Sequence, residues 1–259
     1  MDVILKHKPM TIPTYEPYAA NTLPFFLDKK AYQGATGRIY PVPYTDRLSN
    51  EPVNKDYDSY TLENEHVKVV LLPELGGKIH GAVDKHNNYE FIYQNTVIKP
   101  AMVGIAGPWV SGGVEFNWPQ HHRPTTFMPL EATPKKNADG SVTVWMGDAE
   151  PVHRMRGMVG ITVYPGRSYV EAKAVVYNRT DSPLPFMWWN NLAVRVHPQY
   201  KATFPPDVAY GNDHDRRAVI PFPVMKGVYK TARPFDYGKG TDATWFSNIK
   251  LPTSVMVMR

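Results

Sequence analysis

The densest group of chemically active side chains in the chain lies between residues 107 and 124. This segment holds two tryptophans, a carboxylate, amides, two adjacent histidines and an arginine. An indole can stack on the apolar face of a sugar ring, while amide, imidazole and guanidinium groups hydrogen-bond its hydroxyls. We therefore predict a sugar site here. Its candidate binding residues in this segment are Trp109, Trp118, Asn117, Gln120 and Arg123.

The adjacent histidines His121 and His122 are the candidates for proton transfer in this segment. An imidazole changes its charge near neutral pH and can act as a general acid or a general base. Neighbouring residues of an extended chain point to opposite sides, so we expect one of the two to enter the site. Glu115 is the candidate partner carboxylate, which makes these three residues the catalytic candidates. The alternative is that the segment fills a loop-rich edge of the core.

A second cluster of aromatic and amide residues runs from Phe186 to His197. Aromatic residues in an apolar strand usually belong to a core, but two adjacent asparagines are less expected there because buried amides must be paired. Period-two alternation sends these two asparagines to opposite faces of the strand. We predict that this strand lines the same cleft as the first segment. Its candidate binding residues are Trp188, Asn190, Asn191 and His197.

The sequence pattern predicts that β-strands position these residues. Helical periodicity with flanking caps is not found in any window longer than about ten residues. Runs rich in β-branched and aromatic residues recur instead, each closed by Pro, Gly, Asn or Asp. These runs are His66–Leu72, Ser141–Met146, Gly160–Tyr164 and Ser168–Tyr177. Turn sequences at Asn137–Gly140 and Tyr164–Arg167 favour hairpins, so we predict an all-β fold with antiparallel sheets in a sandwich.

Composition limits the classes of partner and cofactor. Lys+Arg 29 and Asp+Glu 24 give a net charge of +5 without runs of like charge, so we do not expect nucleic acid as a partner. The absence of cysteine excludes disulfides and thiolate chemistry. No metal-ligand spacing or nucleotide motif occurs, so we predict no metal and no cofactor. Without a signal peptide or a long apolar stretch, we predict a cytoplasmic protein with no membrane partner.

The two ends of the chain differ from its middle. Residues 1–60 are rich in proline and tyrosine, so we expect an extended N-terminal arm that packs on the sandwich, with the sandwich covering residues 61–259. The final residues, Val255–Met258, have the pattern of a strand that is begun and not closed. We therefore expect the sandwich to be truncated at its C-terminus.

Three stretches of the sequence carry a resemblance to a known family. They are Leu72–Gly77, Gly107–Pro124, and Trp188–Val194 together with Phe204–Val208. They resemble an uncharacterised bacterial family in which a galactose-mutarotase-like domain is followed by tetratricopeptide repeats. The resemblance implies an antiparallel β-supersandwich of two large sheets with a concave surface that faces carbohydrate. It also implies C-terminal tetratricopeptide repeats in the full-length protein.

More distantly, the layout is similar to that of aldose 1-epimerases. These enzymes use one histidine near a Gly-Gly segment, a second histidine in an Asn-His segment, and a late glutamate as base. In this chain Gly112–Gly113 corresponds to the first segment and Asn190–Leu192 to the second. Asn191 stands where the second histidine would fall, and the late glutamate would lie beyond Arg259.

Three functions therefore stay open. The first is a carbohydrate-active enzyme, either aldose epimerase-like or glycoside-processing, with His121 or His122 as acid and Glu115 as its partner. The second is a noncatalytic module that binds the same sugar or oligosaccharide. The third is a structural domain of a larger repeat-containing protein.

Overall fold

The computed structural model describes residues 2–22, 40–119, 121–123, 125–204, 206–213, 218–222, 224–225, 241–242 and 255–258. Gln120, one of the predicted binding residues, lies outside these ranges. The chain divides into two compact units, Met1–Arg195 and Val196–Arg259.

The first unit is built on a large antiparallel sheet. Its strands are β1 (Ile4–Thr14), β2 (Val53–Glu63), β3 (Val67–Leu72), β4 (Lys78–Asp84), β5 (Tyr89–Ile92), β8 (Val114–Asn117) and β13 (Trp189–Leu192). The strand order is β1-β2-β3-β4-β8-β13, and β5 also pairs with β4. The short strands β6 (Ala101–Gly104) and β7 (Gly107–Trp109) form a separate antiparallel pair. Because side chains alternate along a strand, consecutive residues of β8 point to opposite faces of the large sheet.

The second sheet of this unit has the order β12-β11-β10-β9. Its strands are β9 (Glu131–Lys136), β10 (Val142–Glu150), β11 (Met155–Val163) and β12 (Val170–Asn178). The predicted turns at Asn137–Gly140 and Tyr164–Arg167 connect β9 to β10 and β11 to β12. Gly140 and Gly166 supply the positive φ angles of 80° and 66° that these turns require.

The two sheets share one apolar core. Leu62 and Val69 of the large sheet, and Val144 and Ile161 of the small sheet, are fully shielded from solvent within a single cluster. Burial of these branched side chains from both sheets is what drives the layers together. The predicted all-β fold with antiparallel sheets in a sandwich is confirmed. Among the described residues, the helical content is one 3-10 turn at Pro73–Leu75.

The described part of residues 1–60 differs from the predicted arm. Strands β1 and β2 are the first two strands of the large sheet, paired without interruption from Ile4 opposite Glu63 to Thr14 opposite Val53. The predicted boundary at residue 60 falls inside β2. The prolines of β1 led sequence reasoning to predict an extended arm in place of a strand. An edge strand tolerates proline because the backbone N–H groups on its outer side have no neighbouring strand to bind.

The second unit contains short strands. They are β14 (Tyr210–Asp213), β15 (Ala218–Pro221), β16 (Val224–Met225), β17 (Thr241–Asp242) and β18 (Val255–Met258). β14 lies between β15 and β18, and β16 pairs with β17. The segment Val255–Met258, predicted to be an unclosed strand, is thus paired antiparallel with β14. Across the described ranges, no helix has the length and apolar character needed to cross a membrane.

Candidate functional site

One face of the large sheet carries a row of polar side chains. Val114 and Phe116 of β8 belong to the shared core, so Glu115 and Asn117 point to the opposite face. In the adjacent strand, Asn191 lies directly opposite Glu115. Side chains of directly opposed residues in an antiparallel pair share a face, so tertiary pairing brings Asn191 to Glu115.

Glu115 is the centre of this site. Its Oε2 accepts hydrogen bonds from Trp109 Nε1 at 2.9 Å and from His122 Nδ1 at 3.1 Å. Thr126 Oγ1 is 3.5 Å from the same oxygen, and Asn191 Nδ2 donates to Oε1 at 2.8 Å. We call Trp109, Glu115, His122, Thr126 and Asn191 the Glu115 cluster. One carboxylate therefore binds side chains from three other stretches of the chain.

The charge of Glu115 is stabilised by these donors. Burial by itself would raise the pKa of Glu115, but the hydrogen bond and positive charge of His122, with the Trp109 hydrogen bond, bring it down to about 2. The carboxylate is therefore ionised at neutral pH and is a weak base. Its chemistry is to orient the indole, the imidazole and the amide that donate to it.

His122 is the member of the histidine pair that contacts Glu115. The carboxylate accepts from Nδ1, which assigns the proton of the neutral ring to Nδ1 and leaves Nε2 as the basic nitrogen. The ring is surrounded by aromatic side chains: Trp109 at 5.2 Å, Trp189 at 4.8 Å and His121 at 5.2 Å between centroids. For Nε2 the described residues provide no hydrogen-bond partner. An imidazole held in one tautomer can exchange a proton with a bound hydroxyl.

Trp118, Asn117 and Arg123 have interior positions, which differ from the contact roles predicted for them. Each is at most 1% exposed. The Trp118 ring stacks on Trp188 at 5.3 Å, and the Arg123 guanidinium lies 4.1 Å from its centroid. A ring covered in this way has no face for a sugar, so Trp118 acts as a core aromatic, while Trp188 packs against the core and is only partly buried.

Arg123 connects the site segment to the turn that follows β3. Its Nη2 donates to the carbonyl of Gly76, its Nε to the carbonyl of Phe116 at 3.0 Å, and its Nη1 to Thr125 Oγ1 at 3.0 Å. Nη1 also lies 3.4 Å from Asp148 Oδ1. Burial lowers the pKa of Arg123 to about 10, which still leaves the guanidinium charged at neutral pH. The guanidinium therefore holds the segment in place from inside the fold.

Two further predicted residues, Asn190 and His197, are not members of the Glu115 cluster. Asn190 is opposite Phe116 in the strand pair, so its side chain points to the other face of β13 from Asn191. His197 belongs to the second unit, where its Nδ1 lies 3.3 Å from Gln199 Oε1 and its ring contacts Tyr200. Of the predicted site residues, the structure brings together Trp109, Glu115, His122 and Asn191, with His121 beside His122.

Sequence reasoning missed Lys78 and His80 of β4, which are 3% and 2% exposed. Lys78 Nζ donates to the carbonyls of Val110 and Ser111 at 3.0 and 3.1 Å. Burial lowers the pKa of Lys78 to about 8 and that of His80 to about 4. The signal was present in the sequence, because the alternation Lys78-Ile79-His80 directly after two glycines places both polar side chains on one face of a strand.

A cavity of about 330 Å³ lies elsewhere on this unit. Its walls include Tyr57, Leu75, Val110 and Phe127, and no member of the Glu115 cluster lines it. Among the described residues there is also no group of three or more His, Asp or Glu side chains that could hold a metal ion.

Comparison with protein families assigns the chain to a family. The model described as Domain of unknown function (DUF5107) matches residues 35–241, which is most of the chain. The chain belongs to this family. The matched range of the DUF5107 domain includes every predicted site residue and both residues that sequence reasoning missed. The predicted resemblance to an uncharacterised family is confirmed at this level.

A solved structure shares the fold of this DUF5107 chain. It is a TPR-domain containing protein from Parabacteroides distasonis ATCC 8503, with a TM-score of 0.75 and 26% sequence identity. The match covers 85% of this chain and 37% of that chain. The chain thus spans little more than a third of the length of that relative.

Proposed function

We propose that this DUF5107 domain binds a sugar or an oligosaccharide at the Glu115 cluster. The observation that carries the proposal is that one ionised carboxylate holds an indole, an imidazole and an amide at a single place on the sheet. The predicted resemblance to galactose-mutarotase-like domains supports the same ligand class. A cytoplasmic location is part of the same proposal.

The chemistry of the cluster suits a polyhydroxyl ligand. Trp109 is half-buried, so part of its ring is open to solvent, and the exposed amide of Asn191 has a carbonyl oxygen that can accept from a hydroxyl. Because Glu115 holds both donors in place, they lose little conformational freedom when a ligand binds. A preorganised pair of an aromatic face and an amide is the arrangement that sugar recognition needs.

Proton transfer by His122 is the second candidate function. Its Nδ1 proton is held by Glu115, so Nε2 would be the atom that accepts a proton from a ring hydroxyl or returns it. Glu115 would act in this reaction as a positioning residue, since a carboxylate with a pKa of about 2 is a weak base. Aldose epimerase-like ring opening is the reaction class that the predicted resemblance favours.

The structural role in a larger repeat-containing protein is the competing proposal. It is supported by the likeness to a TPR-domain containing protein of which this chain covers 37%. Under that proposal the Glu115 cluster would stabilise the sheet edge and bind no sugar.

A glycan array probed with the full chain, followed by calorimetry with the best glycan, tests sugar binding. We expect Trp109→Ala and Asn191→Ala each to weaken binding by about tenfold or more, while circular dichroism shows the fold retained. Asn190→Ala is the matched control, because the two asparagines are neighbours of the same type on opposite faces of β13. Equal effects of the two asparagine variants, or no glycan bound at all, would count against the site.

Polarimetry of freshly dissolved aldoses tests proton transfer. We expect the full chain to accelerate mutarotation of an aldose that it binds, and His122→Ala to abolish the acceleration with sugar affinity changed little. Binding without any acceleration would leave the noncatalytic module as the function.

A further inference from the structure

The strand β12 forms one edge of the small sheet, and its edge differs from the other edges of the first unit. β1 carries Pro9 and Pro13, and β9 carries Pro134 and two lysines. The strands β5, β6, β7 and β13 have at most four residues each. Such features prevent another strand from pairing with an edge. β12 has nine residues, no proline, and only Glu171 and Lys173 as charged residues. Among the described edges it is the one best suited to accept a further strand.

Side-chain exposure shows that β12 is exposed where the strand beside it is buried. Ala172 and Ala174 are exposed, although they lie opposite Ile161 and Val159, which are 0% and 2% exposed. The buried core therefore includes β11, and β12 is the single strand between β11 and the open edge of the sheet. A strand added beyond β12 would cover small apolar side chains and satisfy the outer backbone groups of β12 at once.

The sequence of β12 is complementary to itself in one antiparallel register. If two copies of β12 pair around a two-fold axis at Ala172, each Glu171 lies directly opposite the Lys173 of the other copy. Residues directly opposite one another in an antiparallel pair share a face, so two Glu–Lys pairs form on one face of the sheet. On the other face, Val170 lies opposite Ala174 and the two Ala172 side chains meet.

Neighbouring registers lose this complementarity. An axis at Ala174 puts Glu171 opposite Tyr177 and Lys173 opposite Val175, so neither charge has a partner. A shift by one residue would place the alanine side chains of one copy on the same face of the sheet as Glu171 and Lys173 of the other copy. The axis at Ala172 is the register in which both charge and polarity match.

We propose that β12 is a homodimerisation edge at which two copies of the chain join their small sheets, with Ala172 on the two-fold axis. The occupant of the edge is a second copy because the strand is complementary to itself in both charge and polarity. Glu171 already accepts a hydrogen bond from the Tyr164 hydroxyl at 3.1 Å, which holds its carboxylate beside the strand and limits the freedom lost on pairing. This dimer leaves the Glu115 cluster on the large sheet unchanged. The dimer proposal is therefore independent of the proposal that the domain binds sugar.

Charge reversal tests the register. Sedimentation velocity of the full chain at about 1 to 200 µM should show a monomer–dimer equilibrium, as expected for an interface of modest area. E171K or K173E alone places like charges opposite each other and should weaken dimerisation by about tenfold or more. An equimolar mixture of the two single variants, or the double variant, should restore it. K135E on the opposite edge of the same sheet is the matched control and should behave as the unmodified chain.

A single cysteine tests the position of the axis. The chain has no cysteine, so Ala172→Cys introduces the only thiol. Directly opposed Cβ atoms are about 4.5 to 5.5 Å apart, close to disulfide reach, so mild oxidation should link two copies rapidly. Lys135→Cys is exposed on the other edge and should crosslink slowly.

Three outcomes would overturn the proposal. They are a chain that stays monomeric across the whole concentration range, a dimer that ignores both charge reversals, and Ala172→Cys crosslinking no faster than Lys135→Cys. Because the charge variants are at exposed positions, circular dichroism should show all of them folded, which keeps loss of the dimer distinct from loss of the fold.

Discussion

Asn191 donates a hydrogen bond from Nδ2 to Oε1 of Glu115 at 2.8 Å, although the two residues are 76 positions apart in the chain. The pairing of β13 with β8 places them directly opposite each other. The other carboxylate oxygen accepts from Trp109 and His122. A charge that is buried and hydrogen-bonded in this way stabilises the fold only while its donors remain in place.

We expect Glu115→Gln to destabilise the domain by about 2 to 3 kcal/mol at pH 7, because the neutral amide loses the charge-assisted bonds and presents an NH₂ group to other donors. The donors hold the folded pKa at about 2, below the ordinary 4.5, so this stability is complete above pH 4.5 and is lost as the pH falls toward 2. Urea unfolding at several pH values measures it. Glu131→Gln, at a side chain 84% exposed, is the control and should change little.

His80 should make the domain sensitive to mild acid. Burial lowers its pKa from 6.5 to about 4, so between these values the unfolded chain binds more protons and stability falls as the pH falls. Between pH 6.5 and 4 the free energy of unfolding should fall by roughly 3 kcal/mol because of His80, and we expect this fall to be absent in His80→Leu. Unfolding curves at pH 7 and 4 report this difference. The exposed His86, changed to Leu, should leave the pH profile as it was; identical profiles for both variants would contradict the prediction.

Lys78 should have the corresponding effect at alkaline pH. Burial lowers its pKa from 10.5 to about 8, so stability should rise as the pH increases from 8 toward 10.5. We expect Lys78→Met to abolish this rise, because methionine carries no proton to release. Thermal melts between pH 7.5 and 9.5 measure the slope. Lys68→Met on β3 is the exposed control and should retain the slope of the unmodified chain.

The contact of Gly157 with Trp118 should make alanine unacceptable at position 157. A Cβ atom there would lie 2.1 Å from the Trp118 Nε1 atom, closer than any real contact. We expect Gly157→Ala to cost about 3 kcal/mol or more, since this buried ring has no room to move. Trp118→Phe in the same chain shortens the side chain and should recover part of the loss. Additive effects in a double-mutant cycle would show that the two residues do not interact.

The sequence by itself determined the fold class. Alternating β-branched runs closed by turn residues predicted the strands that became β3, β10, β11 and β12, because period-two patterning and turn chemistry are local properties. It also located the segment that contains Trp109, Glu115 and His122, since the mixture of residue types is visible without coordinates.

Only the tertiary structure decided which of these residues meet. Alternation tells which side chains share a face of one strand, but it does not tell which strand lies alongside or which face is covered. The pairing of β13 with β8 selected Asn191 over Asn190, and the position of Gly157 under its indole placed Trp118 in the core. The partners of β1 were hidden in the same way, because its pairing with β2 joins residues about fifty positions apart. Contacts of that range depend on the whole arrangement of the sheets, which no local pattern encodes.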